Sequence, residues 1–166
     1  TITQVTGTTI DTGAGDITFS ADNDITIADA ATTGTAAITS TSGSIMDDSD
    51  GATDLTAGTV VLSAGDNTTT GTSNIDIDLS SADITATADN NVDIANSTAS
   101  NTTATLTSRI SGDITFNQTG GGNVDATAQT TDGGITISNA GGDITATSVI
   151  AGNSGDILLD TTGGTG

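Results

Sequence analysis

The sequence predicts an all-β protein, a right-handed parallel β-helix in which residues 1–166 form one domain. Three observations support this: short segments of alternating apolar and polar residues recur along the chain, their first apolar residues return every ~20 residues, and proline is absent. A repeat of this length holds two or three short strands. About seven or eight coils are expected, and parallel crossovers favour the right-handed sense.

The clearest copies of the repeat lie between Gly112 and Ile150. In each copy a glycine and usually a second small polar residue precede an Ile or Val that opens an alternating segment. Glycine permits the positive φ of a turn, and the neighbouring Asp or Asn is predicted to close that turn with its own side chain. The copies begin at Gly112, Gly122, Gly133 and Gly142.

The apolar residues that open the segments form two interleaved series. Each series is predicted to stack along the axis, one member per coil. The first series is Ile17, Ile38, Val60, Ile84, Leu106, Val124 and Ile144, and the second is Ile25, Ile45, Ile75, Val92, Ile114, Ile135 and Ile157. The second series takes a long step of 30 residues from Ile45 to Ile75, which predicts an inserted acidic loop near 46–54. A polar loop is predicted near 65–73.

Neither end of the sequence has the features of a solenoid cap. The first six residues already alternate, and the last residues closely follow a strand segment. An uncovered coil presents unpaired backbone groups. We therefore expect either continuation into further repeats of the same chain or head-to-tail contact between identical copies.

The composition narrows the possible partners. The formal charge is −20, with 21 acidic residues, a single strong base and no histidine. Such a surface repels nucleic acid, so no nucleic-acid partner is expected, and it attracts hard divalent cations. The absence of cysteine excludes thiolate metal sites, and no apolar run is long enough to predict a membrane span.

The units GDITF, GDITAT and GGITISN, together with GSIMDDSDGATDLTAGTVVLSAG from Gly43 to Gly65, resemble the repeat regions of bacterial filamentous-haemagglutinin-like exoproteins and surface adhesins. The resemblance spans almost the whole chain. It implies a long right-handed parallel β-helix and a secreted, extracellular location on the bacterial surface or in a matrix. The matching residues are turn glycines and strand anchors, so the resemblance implies no ligand-binding residue.

The acidic loop is the candidate metal site, with Asp47, Asp48, Asp50 and Asp54 as possible calcium ligands around Gly51. Calcium loops place carboxylates at alternate positions and a glycine at the sharp turn. The helix-loop-helix form of such a loop is excluded, because Met46 occupies its first ligand position and its terminal Glu is missing. A solvated acidic loop without an ion is the alternative.

Further acidic pairs, Asp22 with Asp24 and Asp76 with Asp78, have the spacing of residues on one face of a strand. Each pair could hold a cation, although a water-facing polar row is the simpler interpretation. Arg109 is expected to pair with a nearby Asp. Catalysis is not predicted, because the chain lacks His, Lys, Tyr and Trp.

The leading functional prediction is a structural subunit or segment of a secreted filament, matrix fibre or adhesin stalk. The alternative is an adhesin module that recognises a glycan or cell-surface receptor through its inserted loops. Threonine spacings such as Thr85/Thr87 also suggest an ice-binding surface, although the threonine rows are not expected to recur at a fixed place in each coil.

Overall fold

The structure is a computed structural model that describes residues 1–68 and 71–162. In these residues the chain forms a parallel β-solenoid of about seven turns and contains no helix, which confirms the predicted fold class. Equivalent residues in successive coils are commonly about 22 residues apart, as for Val92 and Ile114. The described residues contain no helix that could cross a membrane.

Most strands are short, because each coil turns several corners. In chain order they are β1 Ile2–Thr3, β2 Ile10–Asp11, β3 Ile17–Ala21, β4 Ile25–Ile27, β5 Ala30–Ala31, β6 Thr35–Ser40, β7 Ile45–Asp47, β8 Leu55–Thr56, β9 Thr59–Ala64, β10 Ile75–Ser80, β11 Asp83–Ala88, β12 Val92–Asn96, β13 Thr102–Ser108, β14 Ile114–Gln118, β15 Val124–Thr130, β16 Ile135–Asn139, β17 Ile144–Ile150 and β18 Ile157–Thr161.

The strands form two parallel sheets that run along the solenoid axis. The larger sheet follows the order β1-β4-β7-β10-β12-β14-β16-β18, with β2, β5 and β8 as a short side path, and the smaller follows β3-β6-β9-β11-β13-β15-β17. The larger sheet contributes mainly isoleucine to the core, and the smaller sheet contributes most of the alanine. This thin core explains how so few large apolar residues suffice.

The register confirms the second anchor series in full. Ile25, Ile45, Ile75, Val92, Ile114, Ile135 and Ile157 are successive strand partners. The first series is partly wrong. Ile17 pairs with Ala36, and Ile38 lies two residues further along the strand, opposite Phe19 and Leu62. Ile84 likewise pairs with Ala104, and Leu106 lies two residues further along. A slip of two residues keeps a side chain on the same face, so alternation alone does not detect it.

The Asp or Asn of the repeat unit links neighbouring coils, which corrects the prediction that it closes its own turn. Asn91 Oδ1 accepts a hydrogen bond from the Asp113 N–H at 2.9 Å, and Asp113 Oδ1 accepts one from the Gly134 N–H at 2.8 Å. The same link joins Asp16 to Thr35, Asp24 to Ser44, Asn74 to Asn91, Asn101 to Asn123 and Asn123 to Asp143.

The turn glycines have two different roles. Gly112 and Gly133 adopt positive φ angles of 117° and 144°, as predicted. Gly142 does not have a positive φ, but a Cβ there would lie 2.6 Å from the carbonyl oxygen of Gly122 in the preceding coil. At that position glycine is required because the backbones of adjacent coils approach each other closely.

The long step between Ile45 and Ile75 is divided between two loops, whereas the acidic loop alone was expected to account for it. From Ile45 to Leu55 the chain advances 10 residues where the preceding coil, from Ile25 to Ala30, advances 5. The polar segment lengthens the same coil further, because the chain advances 16 residues from Thr59 to Ile75, whereas it advances 10 from Thr35 to Ile45 in the preceding coil. Residues 69–70 of the predicted polar loop lie outside the described residues.

Candidate metal centre

The acidic loop begins where a carboxylate replaces a core residue. Asp47, the last residue of β7, takes the register of Ile27, whose side chain is fully buried in the core of the preceding coil. A carboxylate without a partner is costly in such a position, so the chain leaves the ladder after Asp47. It rejoins at Leu55, which is buried and pairs with both Ala30 and Leu79.

Within the loop, backbone N–H groups orient three carboxylates through one oxygen each. Each donor lies two residues after its acceptor, a local arrangement typical of Asp. Ser49 N donates to Asp47 Oδ1 at 2.9 Å, Asp50 N to Asp48 Oδ1 at 3.3 Å, and Ala52 N to Asp50 Oδ1 at 2.8 Å. These bonds form a succession of tight local turns.

Asp54 is the most enclosed carboxylate of the loop, with 2% of its surface exposed. Its backbone is held between two coils, because its N–H donates to the Asp78 carbonyl at 2.9 Å and its carbonyl accepts from Ala30 N at 2.8 Å. Its Oδ1 atom is buried and has no hydrogen-bond partner among the described residues. The same is true of Asp48 Oδ2.

The fold brings all four predicted ligand residues together and adds a fifth. Asp47, Asp54 and Asp78 each offer one carboxylate oxygen within 4.8 Å of the others, and Asp48, Asp50 and Asp54 form a second such triad. The sequence spacing pairs Asp78 only with Asp76. The signal that could have found it is the alignment of Leu55 with Leu79, because that register places Asp54 beside Asp78.

The electrostatics of the cluster are unfavourable for five free carboxylates. The pKa of Asp54 is raised from 3.8 to about 7, first by burial and then by the negative charges of its four neighbours in the cluster. The pKa of Asp78 is also raised, first by burial and then by the charges of Asp47, Asp76 and Asp50. Either a proton or a cation would relieve this repulsion.

The only basic side chain in the sequence lies in a different part of the solenoid. Arg109 Nη2 lies 2.7 Å from Oδ1 of Asp89, whose side chain is 1% exposed. The same nitrogen donates to the carbonyls of Ala64 and Gly65 at 2.8 and 2.9 Å. The predicted pairing of Arg109 with an Asp is therefore confirmed, and the pair, whose carboxylate is buried and whose guanidinium is partly exposed, joins three coils.

The two other acidic pairs have different outcomes: Asp76 and Asp78 share one face of β10, as their spacing predicted, whereas Asp22 and Asp24 are not on a strand. Asp22 and Asp24 lie in the bend between β3 and β4, and Asp24 is one of the residues that link coils. Asp76 is on β10 and lies directly opposite Asp93 on β12. The pKa of Asp93 is raised by burial and then by the charges of Asp76 and Asp78.

A polar groove of about 360 Å³ lies beside this second acidic pair. Asp76 and Asp93 line it together with Asp113 from the next corner and Met46 from β7. In the part of the chain that the structure describes, these carboxylates do not form a triad as close as those of the acidic loop. The closer carboxylate clusters therefore lie at the acidic loop and not in this groove.

Threonines on the smaller sheet are aligned over three coils but not over all of them. Thr85, Thr105 and Thr127 are successive partners, whereas Val61 precedes them and Ser148 follows them in the same column, so the row does not recur in each coil, as expected. The adjacent column, however, alternates threonine with carboxylates: Thr59, Asp83, Thr103, Asp125 and Thr145. This face is therefore a mixed, charged surface, unlike a flat array of threonine.

Comparisons with known proteins add no further similarity. No protein-family model matches the chain, and neither a curated protein nor a solved structure matches it significantly. The β-solenoid implied by the resemblance to filamentous-haemagglutinin-like repeats is present, whereas membership of that family stays a prediction.

Proposed function

We propose that this chain is a structural segment of a secreted bacterial filament, matrix fibre or adhesin stalk, in which coils stack along the fibre axis. The observation that carries the proposal is the continuous parallel pairing of both sheets through the whole described chain. Interstrand hydrogen bonds in such a solenoid run along its axis. Axial load is therefore shared by all the backbone bonds between two coils.

Side chains reinforce this axial pairing inside the coil as well as at its corners. Asn96, Gln118 and Asn139 are fully buried and occupy equivalent positions in successive coils. Asn96 Nδ2 donates to Gln118 Oε1 at 2.7 Å. A buried amide column of this kind favours the native register, because a slip would leave polar groups without partners.

The edge formed by β17 and β18 supports stacking against another coil. Ile157 and Leu159 continue the core columns of Ile135 and Ile137, yet they are 47% and 42% exposed, whereas the preceding pair is almost fully buried. An apolar strand edge of this kind is a template for pairing. The proposed occupant is a further coil of the same kind, from a second copy or from further repeats.

Axial assembly of the 166-residue chain tests the proposal. We expect sedimentation and negative-stain electron microscopy to detect linear assemblies one solenoid wide as the protein concentration rises. The double variant Ile157→Asp/Leu159→Asp should remain monomeric, because it places charges in the apolar edge. Leu158→Asp is the matched control, since Leu158 is on the same strand but pairs with the outward-facing Thr136. A parent chain that stays monomeric up to solubility contradicts self-stacking.

A second candidate function is recognition of a glycan or surface receptor through the acidic loop. A groove of about 170 Å³ between this loop and the next coil favours it, with Gly51, Thr53, Asp78 and Ser97 among its lining residues. Deleting residues 48–53 should then abolish binding to cells and leave axial assembly intact. If cell binding is unchanged by the deletion, the loop is not the recognition site.

A further inference from the structure

We propose that the acidic loop and β10 together form a calcium site centred on the Asp54 carboxylate, with Asp47, Asp48, Asp50 and Asp78 as the other ligands. The site would bind a hard divalent cation between two coils of the solenoid. It does not depend on whether the solenoid forms a fibre.

The spacing of the oxygens allows one Ca²⁺ to contact all three carboxylates of a triad. Two oxygens bound to one Ca²⁺ at its usual distance of about 2.4 Å are at most about 4.8 Å apart. The oxygens of each triad lie within 4.8 Å of one another. Mg²⁺ requires shorter bonds and a stricter octahedral geometry, which a set of carboxylates from a loop and a strand meets less easily.

The buried carboxylate points independently to a ligand. Asp54 is only 2% exposed, its Oδ1 has no hydrogen-bond partner within the described chain, and it belongs to both triads. A buried polar atom normally has a partner, since leaving it without one is costly. Asp48 is a second ligand in the same cluster, and its buried Oδ2 also has no hydrogen-bond partner among the described residues.

The charge and ligand chemistry select the class of ion. Arg109 is bound to Asp89, and the sequence contains no other Arg or Lys that could neutralise the cluster. A proton can neutralise only one carboxylate at a time. Softer metals such as zinc favour His and Cys, which this chain lacks, whereas carboxylates suit calcium.

Occupancy would connect the loop to the rest of the solenoid. Asp47 ends β7, Asp54 precedes β8, and Asp78 is on β10 in the following coil. The backbone of Asp54 already bonds to Ala30 and Asp78 on either side. A bound ion would therefore fasten the exposed part of the loop to a position that the ladders already fix.

The test is calorimetric titration of CaCl₂ into the metal-free 166-residue protein, with MgCl₂ titrated in parallel. We expect saturable Ca²⁺ binding with a Kd of about 10⁻⁵ to 10⁻³ M and weaker Mg²⁺ binding. Asp54→Asn should weaken Ca²⁺ binding about tenfold or more, because it removes the shared charged ligand. Asp78→Asn should also weaken it. Asp83→Asn and Asp125→Asn, exposed positions on the smaller sheet, should leave the Kd unchanged.

Circular dichroism of each variant establishes that it is folded before titration. Asp54→Asn is nearly isosteric and removes a buried charge, and Asp78→Asn provides an independent measurement from another coil. The proposal is overturned if Ca²⁺ shows no saturable binding, if Mg²⁺ binds as tightly, or if both variants retain the parent Kd. Equal weakening by the two exposed control variants would also overturn it, because a general effect of surface charge would then explain the binding.

Discussion

Replacing Arg109 with glutamine removes the only basic side chain of the sequence from an ion pair whose carboxylate is buried. In the folded protein its Nε and Nη2 atoms lie 2.9 and 2.7 Å from Asp89 Oδ1. Nη2 also donates to two carbonyls of the coil before that of Asp89. The glutamine side chain is too short to restore this set of bonds, so the Asp89 carboxylate would remain buried without its counter-charge.

The expected loss of unfolding free energy is about 3 kcal/mol, the low end of the range for breaking a buried pair. Two features reduce the loss: Asp89 still accepts the N–H groups of Asp66 and Asn67 at 3.1 Å each, and the Arg109 side chain is 22% exposed. For a chain of this length, a loss of about 3 kcal/mol corresponds to a decrease in Tm of about 9 °C.

Urea unfolding followed by far-UV circular dichroism measures this loss, since the chain has no Trp. Asp83→Asn, which removes an exposed carboxylate, is the control. The double variant Asp89→Asn/Arg109→Gln should be clearly more stable than the sum of the two single losses predicts, because the buried charge is then gone. A loss below about 0.5 kcal/mol for Arg109→Gln, or strict additivity, would refute the assignment of a strong buried pair.

Three further predictions concern the acidic surface and the core. In metal-free protein the pKa of Asp54 is about 7 in the folded state, whereas its ordinary value is 3.8. Between these two pH values the folded state therefore retains a proton that the unfolded state has lost. The unfolding free energy should therefore fall as the pH rises from about 4 to about 7, by about 2 kcal/mol after allowance for screening. Asp54→Asn should remove this pH dependence, and equal slopes in the parent and the variant would contradict the prediction. Asp93→Asn should raise Tm at pH 7 but not at about pH 3, because the pKa of Asp93 is raised by burial and by the charge of Asp76. An equal change in Tm at both pH values would argue against charge repulsion. Phe116→Ala should cost about 3 to 5 kcal/mol in urea unfolding, since Phe116 is fully buried, whereas the exposed Val5→Ala should cost little; similar losses would contradict the burial.

Local sequence patterns were sufficient to predict the fold class and the inward or outward direction of most strand residues. Alternation is a local property, because successive side chains of a strand point to opposite faces whatever the strand pairs with. The series from Ile25 to Ile157 was also predictable from the local pattern, because a large apolar residue opens every one of its strand segments. Each of the strands that contain Ile38 and Leu106 has several inward-facing positions, occupied by both large and small side chains. Only the pairing with the neighbouring strands shows which inward position aligns with the series.

The pairing between coils, by contrast, determines which distant carboxylates lie together. Asp47, Asp48, Asp50 and Asp54 were predictable as neighbours in one loop, but Asp78 joins them because β10 pairs with both β7 and β8. The burial of Asp54 follows from the same pairing, which holds its backbone between Ala30 and Asp78. Register across an inserted loop depends on how the loop's extra residues are distributed, and local sequence patterns do not specify that distribution.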